Sequence, residues 1–410
     1  MHIDLNSFFA SAEQQANPFL RNKSMGVGRR AYWGSAIIAA SYPAKKQGIG
    51  LSTRYNEAKQ IDPTFELANI DHIKYYELHT KFIDLLKKYS PLIEVYSIDE
   101  AFLDLTMTDK DLYELEEIGY NIKQSIIDGL GVTFTCSIGL GNNKLLAKVA
   151  SNYDKPDGLS VIAWEERAKY LNPMLLEDIW GIGRRITKKM YSRGIYKVRD
   201  LKALSDKELY TIVGGYYLRL KSLLHGYHFE PIKYAPSKPA QSMQHAHTLD
   251  QATNNISSLQ KLARKLIERI AIRLRKHRQK CRTVYLNLVP ENSSNYGWGA
   301  GGWFHRSKHL PGNTNNGYTI YQVCKHILGE VNLEQTRIRQ LVVGVGNLTT
   351  PDMISFEDLQ QTRTLTLDKA LDQINSRFGN FTIRSADILY EKAKESELNI
   401  ETPEMRFHTL

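Results

Sequence analysis

The 410-residue chain is 42% hydrophobic and 24% charged, an ordinary globular composition that excludes a disordered or fibrous protein and leaves room for two or three cores. Its three cysteines, Cys136, Cys281 and Cys324, are far apart and form no C-x-x-C pair, which excludes a disulfide framework and a zinc ribbon. The net charge of +10 sits in one segment: residues 241–350 hold 15 Lys/Arg against 5 Asp/Glu, and the other 300 residues hold 39 of each, the footprint of a polyanion-binding module on a neutral body.

His2-Ile-Asp-Leu-Asn-Ser-Phe-Phe9 reads as a short apolar strand that carries Asp4 into a helix. Residues 34–41 are strand-like and precede a helix start at Tyr42-Pro-Ala-Lys-Lys46; Asp71 to Tyr89 has the period of a long amphipathic helix. Ile93 to Leu105 alternates as a hairpin of a half-buried sheet, with Asp99 and Glu100 at its crest. Adjacent carboxylates stay ionised only beside a positive charge. With Asp4 they form an oxygen-only donor set of the kind that suits Mg²⁺, and a pair of such ions can clamp a phosphoryl transfer. The plainer alternative is a solvated turn with Asp4 as a capping residue.

Thr133 to Leu140 alternates as a strand, followed by a helix at Gly141 to Lys148 and a turn at Lys155-Pro-Asp-Gly158. The 141–148 segment lacks the spacing of a phosphate-cradling P-loop. From 166 to 232 the pattern is helical, and Gly181-Ile-Gly183 before Arg184, Arg185 and Lys188 fits a helix-hairpin-helix that grips DNA backbone; an ordinary helix–helix turn is the alternative. Ile212-Val-Gly-Gly215 is a weaker second hairpin. Three prolines in 231–242 read as a stiff linker. Beyond it, Leu259, Leu262, Leu266, Ile270 and Leu274 line one face of a basic helix, strands follow around Val284 to Leu288 and Arg337 to Val345, and 292–317 reads as loop. That helix could lie on a membrane, but the strands give its apolar face a sheet to cover. No run approaches a membrane span and the first residues lack a signal-peptide pattern, so a cytoplasmic location is expected.

Five ordered motifs carry a resemblance: Asp4-Leu-Asn-Ser-Phe-Phe-Ala-Ser-Ala-Glu13, Ala40-Ser-Tyr-Pro-Ala-Lys-Lys46, Ser97-Ile-Asp-Glu100, Ser137 to Ser151, and Lys155-Pro-Asp-Gly158. The chain resembles the Y-family translesion DNA polymerases. Asn6 and the segment Leu367 to Gly379 look more like the catalytic subunits of bacterial SOS polymerase V and their Gram-positive relatives than like the polymerase IV branch. The resemblance implies an α+β right-handed polymerase: palm at 1–8 and 71–165, with a mixed sheet plus helices; small fingers at 9–70; and a helical thumb with helix-hairpin-helix at 166–232. A linker at 233–240, an α/β little finger at 241–350 and a C-terminal tail at 351–410 would complete it.

By the same resemblance, Asp4, Asp99, Glu100 and the Leu5 carbonyl would hold two Mg²⁺ ions. Phe9 would be the steric gate against ribonucleotides beside Phe8, with Tyr42, Lys45 and Lys155 on the dNTP triphosphate. Gly181, Gly183, Arg184, Arg185, Lys188, Arg337 and Arg339 are the candidate contacts to primer–template DNA. The implied activity is low-fidelity, damage-tolerant synthesis by a monomer without a proofreading exonuclease. The family carries Arg where Lys45 stands, and a lysine gives a point charge in place of a bidentate fork. Residues 352–358 sit where relatives carry a sliding-clamp motif, without its Gln. A Mg²⁺-dependent structure-specific nuclease would leave Phe9, Tyr42 and Lys155 without a task; a catalytically inert DNA-binding relative would not retain all three acids.

Overall fold

A computed structural model describes residues 1–29, 34–108, 110, 112–225, 227, 231–232, 240–291, 304–350, 362–379 and 382–383. The chain divides into two compact units, the first within residues 1–236 and the second within 237–400. The linker 233–240, apart from residue 240, and the clamp-motif region 352–358 lie outside the described residues.

The first unit begins with strand β1 (His2–Leu5), helix α1 (Phe8–Ala16), β2 (Met25–Gly28), β3 (Ala39–Ala40), α2 (Tyr42–Lys46), α3 (Tyr55–Ile61) and β4 (Glu66–Asn69). It continues with α4 (His72–Leu86), β5 (Ile93–Val95), β6 (Glu100–Leu103), α5 (Leu112–Leu130), β7 (Cys136–Gly141), α6 (Lys144–Tyr153) and β8 (Leu159–Ile162). A five-stranded mixed sheet of order β5-β6-β1-β7-β8 is its centre, and β3-β2-β4 form a small second sheet.

Alternation along β1 decides which side chains meet. Ile3 and Leu5 enter the core with Tyr75 and Phe82 of α4 and Ile122 and Ile126 of α5, while His2 and Asp4 point to the other face, where α6 lies. His2 Nδ1 there meets Ser151 Oγ at 2.7 Å. Helix α6 lies very close to the sheet: a Cβ on Gly139 would stand 2.0 Å from the Ala147 carbonyl oxygen and 2.2 Å from the Ser151 nitrogen. No other residue fits there without moving the helix.

A helical segment follows: α7 (Arg167–Leu171), α8 (Arg184–Tyr191), α9 (Val198–Lys202), α10 (Asp206–Val213) and α11 (Tyr217–Leu224). The second unit contains β9 (Ser242–Thr253), α12 (Ile256–Lys276), β10 (Cys281–Pro290), β11 (Phe304–Thr314), α13 (Gly317–Gly329), β12 (Ile338–Gly346) and α14 (Thr362–Phe378). Its antiparallel sheet has the order β11-β10-β12-β9. The apolar stripe of α12 packs on Val284, Leu286, Leu288, Val343 and Val345, and thus covers this sheet.

Several sequence expectations change. Residues 304–314, expected in a loop as part of the Gly- and Asn-rich stretch 292–317, form the edge strand β11: backbone pairing to β10 overrides a mostly polar composition, and a register shift between Cys281 and Thr283 absorbs the irregularity. The strand at 133–140 begins only at Cys136, and α6 begins at Lys144 because Asn143 caps it, its Oδ1 accepting from the Leu146 N–H at 2.9 Å. Residues 362–378 of the expected tail form α14, held to α12 by Arg275, whose guanidinium donates to both carboxylate oxygens of Asp372 at 2.6 and 2.7 Å.

Candidate active site

Strands β1 and β6 are antiparallel neighbours with Asp4 directly opposite Glu100. Two carboxylates therefore stand side by side on the face that looks at α6. Asp99 closes the turn before β6; its carbonyl accepts the Leu5 N–H at 2.9 Å, and its carboxylate accepts from the Ser97 hydroxyl. Three acids so placed repel one another, and two lysines separate them. Lys155 Nζ lies 2.6 Å from Asp4 Oδ2, and Lys148 Nζ lies 2.6 Å from Glu100 Oε2.

Burial raises the Asp4 carboxyl above its usual range although Lys155 opposes it, and burial with the neighbouring Glu100 charge raises Asp99. Burial alone would raise Glu100 too, but its basic neighbours hold it low. Of those neighbours, His2 is pushed down to about 4 by burial, so near neutrality it is uncharged and its Nε2, 3.7 Å from Glu100, forms no ion pair. The cation that steadies Glu100 is Lys148. Among the described residues no three acid, cysteine or histidine groups stand as a metal-ligand cluster, and the acids face lysines, Lys155 at Asp4 and Lys148 at Glu100. Three neighbouring carboxylates without a Cys thiolate are a chemistry that fits a hard divalent cation, the nearby His2 nitrogen standing 3.7 Å from Glu100.

Ser7 adopts φ 48°, a left-handed turn between β1 and α1 that brings Phe9 beside Asp4. Phe9 is half-buried, its ring 4.5 Å from that of Tyr75. Phe8 is buried, its ring packed at 6.3 Å on that of Tyr75 and 6.2 Å on that of Phe134, although the residue also contributes to the lining of the cleft that holds Phe9. Lys45 Nζ donates to Ser7 Oγ at 2.7 Å and stands 4.6 Å from the Tyr42 ring centre. Burial and the nearby Lys155 charge both lower the Lys45 ammonium, so an anion is the natural complement of this pair. Asp4, Asp99, Phe9, Tyr42, Lys45 and Lys155 line one cleft of about 260 Å³. A larger cleft of about 590 Å³ opens at the far end of the same strands, beside Met1, Leu140 and Trp164.

Near Gly181 (φ 96°) the chain makes a tight turn, and α8 opens after Gly183 with Arg184, Arg185 and Lys188 exposed. The element before it is a single 3-10 turn, Leu176–Asp178, where a full helix was expected. A second hairpin at Gly214 (φ 64°) is tied to the first by the Tyr216 hydroxyl, which donates to the Gly181 carbonyl. Arg337 and Arg339 are tied to the backbone: Arg337 donates to the Ala252 carbonyl at 2.6 Å, and Arg339 to the carbonyls of Leu249 and Asp250. A register shift between Ile338 and Gln340 leaves those β9 carbonyls without strand partners, and the arginines satisfy them.

Lys148 and Ser7 were not singled out from the sequence. Lys148 lies inside a quoted motif, and its one signal was its place on the helix that follows a site strand. Asn6, whose only sequence signal is its family likeness, accepts the Asp157 N–H at its Oδ1 at 2.9 Å and so fixes the turn that carries Lys155.

Residues 3–152 match the impB/mucB/samB family, and residues 240–362 match the C-terminal domain of the same family. A relative named DNA polymerase IV from Moorella thermoacetica is 30% identical over 389 residues, 93% of this chain and 94% of that protein. The chain belongs to the impB/mucB/samB family of Y-family DNA polymerases. A second relative, DNA polymerase IV of Desulfatibacillum aliphaticivorans, is 29% identical over 97% of this chain and 98% of its own length. Among solved structures, a Y-family DNA polymerase chimera superposes with a TM-score of 0.73 at 26% identity, covering 85% of this chain and 99% of that one. The chain is thus a DNA-directed DNA polymerase of the translesion type, metal-dependent and acting on primer–template DNA and dNTPs. No helix among the described residues is long and apolar enough to cross a membrane. The relatives' names lend no support to the polymerase V-like branch expected from Asn6 and residues 367–379.

Proposed function

We propose that Asp4, Asp99 and Glu100, with the Leu5 carbonyl, hold two Mg²⁺ ions, and that the cleft beside them seats the incoming dNTP. One observation carries this reading: the acids Asp4 and Asp99, the aromatic pair Phe9 and Tyr42, and the cations Lys45 and Lys155 line a single cleft. Bound there, the ions supply a lowered pKa at the primer 3′-hydroxyl and a counter-charge for the departing pyrophosphate.

The chain's own residues do the rest. Lys45 and Lys155 draw the triphosphate in and fix it by charge, as ammonium donors to anionic oxygens. Tyr42, its ring beside Lys45, offers a hydroxyl on the same side. Phe9, braced by Tyr75, presents its ring where a ribonucleotide's 2′-hydroxyl would sit and excludes it sterically. The exposed Arg184, Arg185 and Lys188 and the open N-terminus of α8 grip the duplex backbone without reading bases.

Within this reading, 1–8 with 71–165 is the palm, 9–70 the fingers, 166–232 the thumb, 233–240 the linker and 241–350 the little finger, in a cytoplasmic monomer that works without proofreading in damage tolerance. Asp99→Ala and Glu100→Ala each abolish primer extension while the mobility shift of a primer–template stays near the parent value. Equal loss of DNA binding would show that these acids serve the fold instead.

A further inference from the structure

Tyr96 and Trp180 join two parts of the first unit that do different work. Tyr96 precedes the acidic turn; its N–H and that of Ser97 both donate to the Glu100 carbonyl, at 3.0 and 3.1 Å. Trp180 adjoins Gly181 in the α8 hairpin. Its indole Nε1 donates to the Tyr96 hydroxyl at 2.8 Å, the two rings meeting edge-on at 5.4 Å and 89°. The other face of Trp180 stacks on Phe102 at 5.7 Å and 25°. Beneath them Lys144 pairs with Glu94 at 2.8 Å, the side chains only 5% and 7% exposed, with its ammonium 5.4 Å from the Phe102 ring centre and 5.6 Å from that of Trp180. A buried, paired cation wedged against two rings gives the cluster one packing arrangement.

Lys148 connects this cluster to the acids. Its ammonium lies 2.6 Å from Glu100 Oε2 and at the same time 4.8 Å from the centre of the Tyr96 ring. One cation thus holds both a catalytic carboxylate and the ring that bonds Trp180. A divalent ion arriving at Glu100 competes with that ammonium, because a carboxylate oxygen that ligates a metal no longer needs the lysine and the two positive charges repel.

We propose that Lys148 is a positioning residue: it stands in for the metal at Glu100, and its displacement on metal entry is transmitted through Tyr96 to Trp180 and so to the DNA-gripping hairpin. The proposal rests on Glu100 being a metal ligand, and it adds a direction of coupling. Whatever metal entry does to the hairpin, duplex bound on the hairpin does in return to metal affinity, by the same factor.

The test uses the full chain without DNA or nucleotide, labelled with 5-fluorotryptophan. The sequence holds five tryptophans, and loss of one ¹⁹F resonance in Trp180→Phe assigns Trp180. Mn²⁺ binding is followed by the fading of the free-ion electron paramagnetic resonance signal, and the ¹⁹F spectrum is followed on adding Mg²⁺. In the parent chain the Trp180 resonance shifts with added Mg²⁺. In Lys148→Met, Mn²⁺ binds about fivefold more tightly, because no ammonium is displaced, and the Trp180 shift is lost. Lys148→Arg, which restores a cation able to span Glu100 and Tyr96, regains the shift. A Trp180 resonance that stays fixed while Mn²⁺ binds and Glu100→Gln abolishes that binding overturns the relay but leaves the metal site standing. So does a shift of full size in Lys148→Met. Mn²⁺ binding that is indifferent to Glu100→Gln removes the metal-site reading itself, and the relay with it.

Discussion

Phe8 and Phe9 are adjacent in sequence and face opposite demands. The turn at Ser7 starts α1 so that Phe8 enters the core against Tyr75 and Phe134 while Phe9 borders the cleft. Truncating each must therefore fail in a different way. Phe9→Ala raises ribonucleotide insertion relative to deoxynucleotide insertion, because the clash that enforces sugar choice is removed while the acids stay in place. Phe8→Ala costs about 3–5 kcal/mol of stability and leaves sugar choice unchanged in the folded fraction. Single-nucleotide insertion kinetics with dCTP and rCTP opposite template G, run beside thermal denaturation, check both; an unchanged ratio in Phe9→Ala shows that the gate is elsewhere. The three acids were legible in the sequence because carboxylates beside apolar strand positions break a pattern. Lys148 was not, since a lysine on an amphipathic helix breaks nothing, and its partner Glu100 lies 48 positions away.

At the scale of elements, legibility followed periodicity. Helices α4 and α12 were readable because a repeating apolar stripe is a local signal, and so was the β5–β6 hairpin. Strands β9 and β11 carry mostly polar residues at the two edges of their sheet, where among the described residues one side has no partner strand, and only long-range pairing makes them strands. Helix α14 is a further case. Its anchorage depends on Arg275, a side chain 9% exposed that meets Asp372 in bidentate fashion and has Asp368 at 3.9 Å and Glu268 at 3.4 Å. The matched family domain ends at residue 362, where α14 begins. Asp372→Asn weakens that charge-assisted pair, and the expected loss is about 1–3 kcal/mol. The observable is local: limited proteolysis cuts within 362–378 sooner, while α12 and its sheet keep their far-ultraviolet dichroism and their melting transition. Unchanged cleavage in α14 would mean that apolar contacts, not Arg275, hold it.

For the whole molecule, the charge surplus is real, but part of it is paired within the fold. Of the fifteen basic residues at 241–350, Arg264 pairs with Glu268, Arg275 with Asp372, Lys308 with Glu330, and Arg337 reaches both Glu291 and a backbone carbonyl. Those four are engaged within the fold and release few counterions on binding. Arg278 and Arg282 lie exposed, as do Arg184, Arg185 and Lys188 in the first unit. Salt dependence separates the two groups, because the slope of log affinity against log salt falls by about 0.9 for each duplex phosphate contact removed. Replacing Arg184, Arg185 and Lys188 together by Gln should flatten the slope by about 2 to 3 if each meets one phosphate. Replacing Arg278 and Arg282 should flatten it by about 2 on the same basis. Replacing Lys308 and Arg337 should weaken the fold more than it changes the slope. Fluorescence anisotropy of a labelled primer–template, measured for each variant across a range of salt, gives these slopes directly. Equal flattening by the paired and the exposed sets would mean that net charge alone, and not its placement, governs binding.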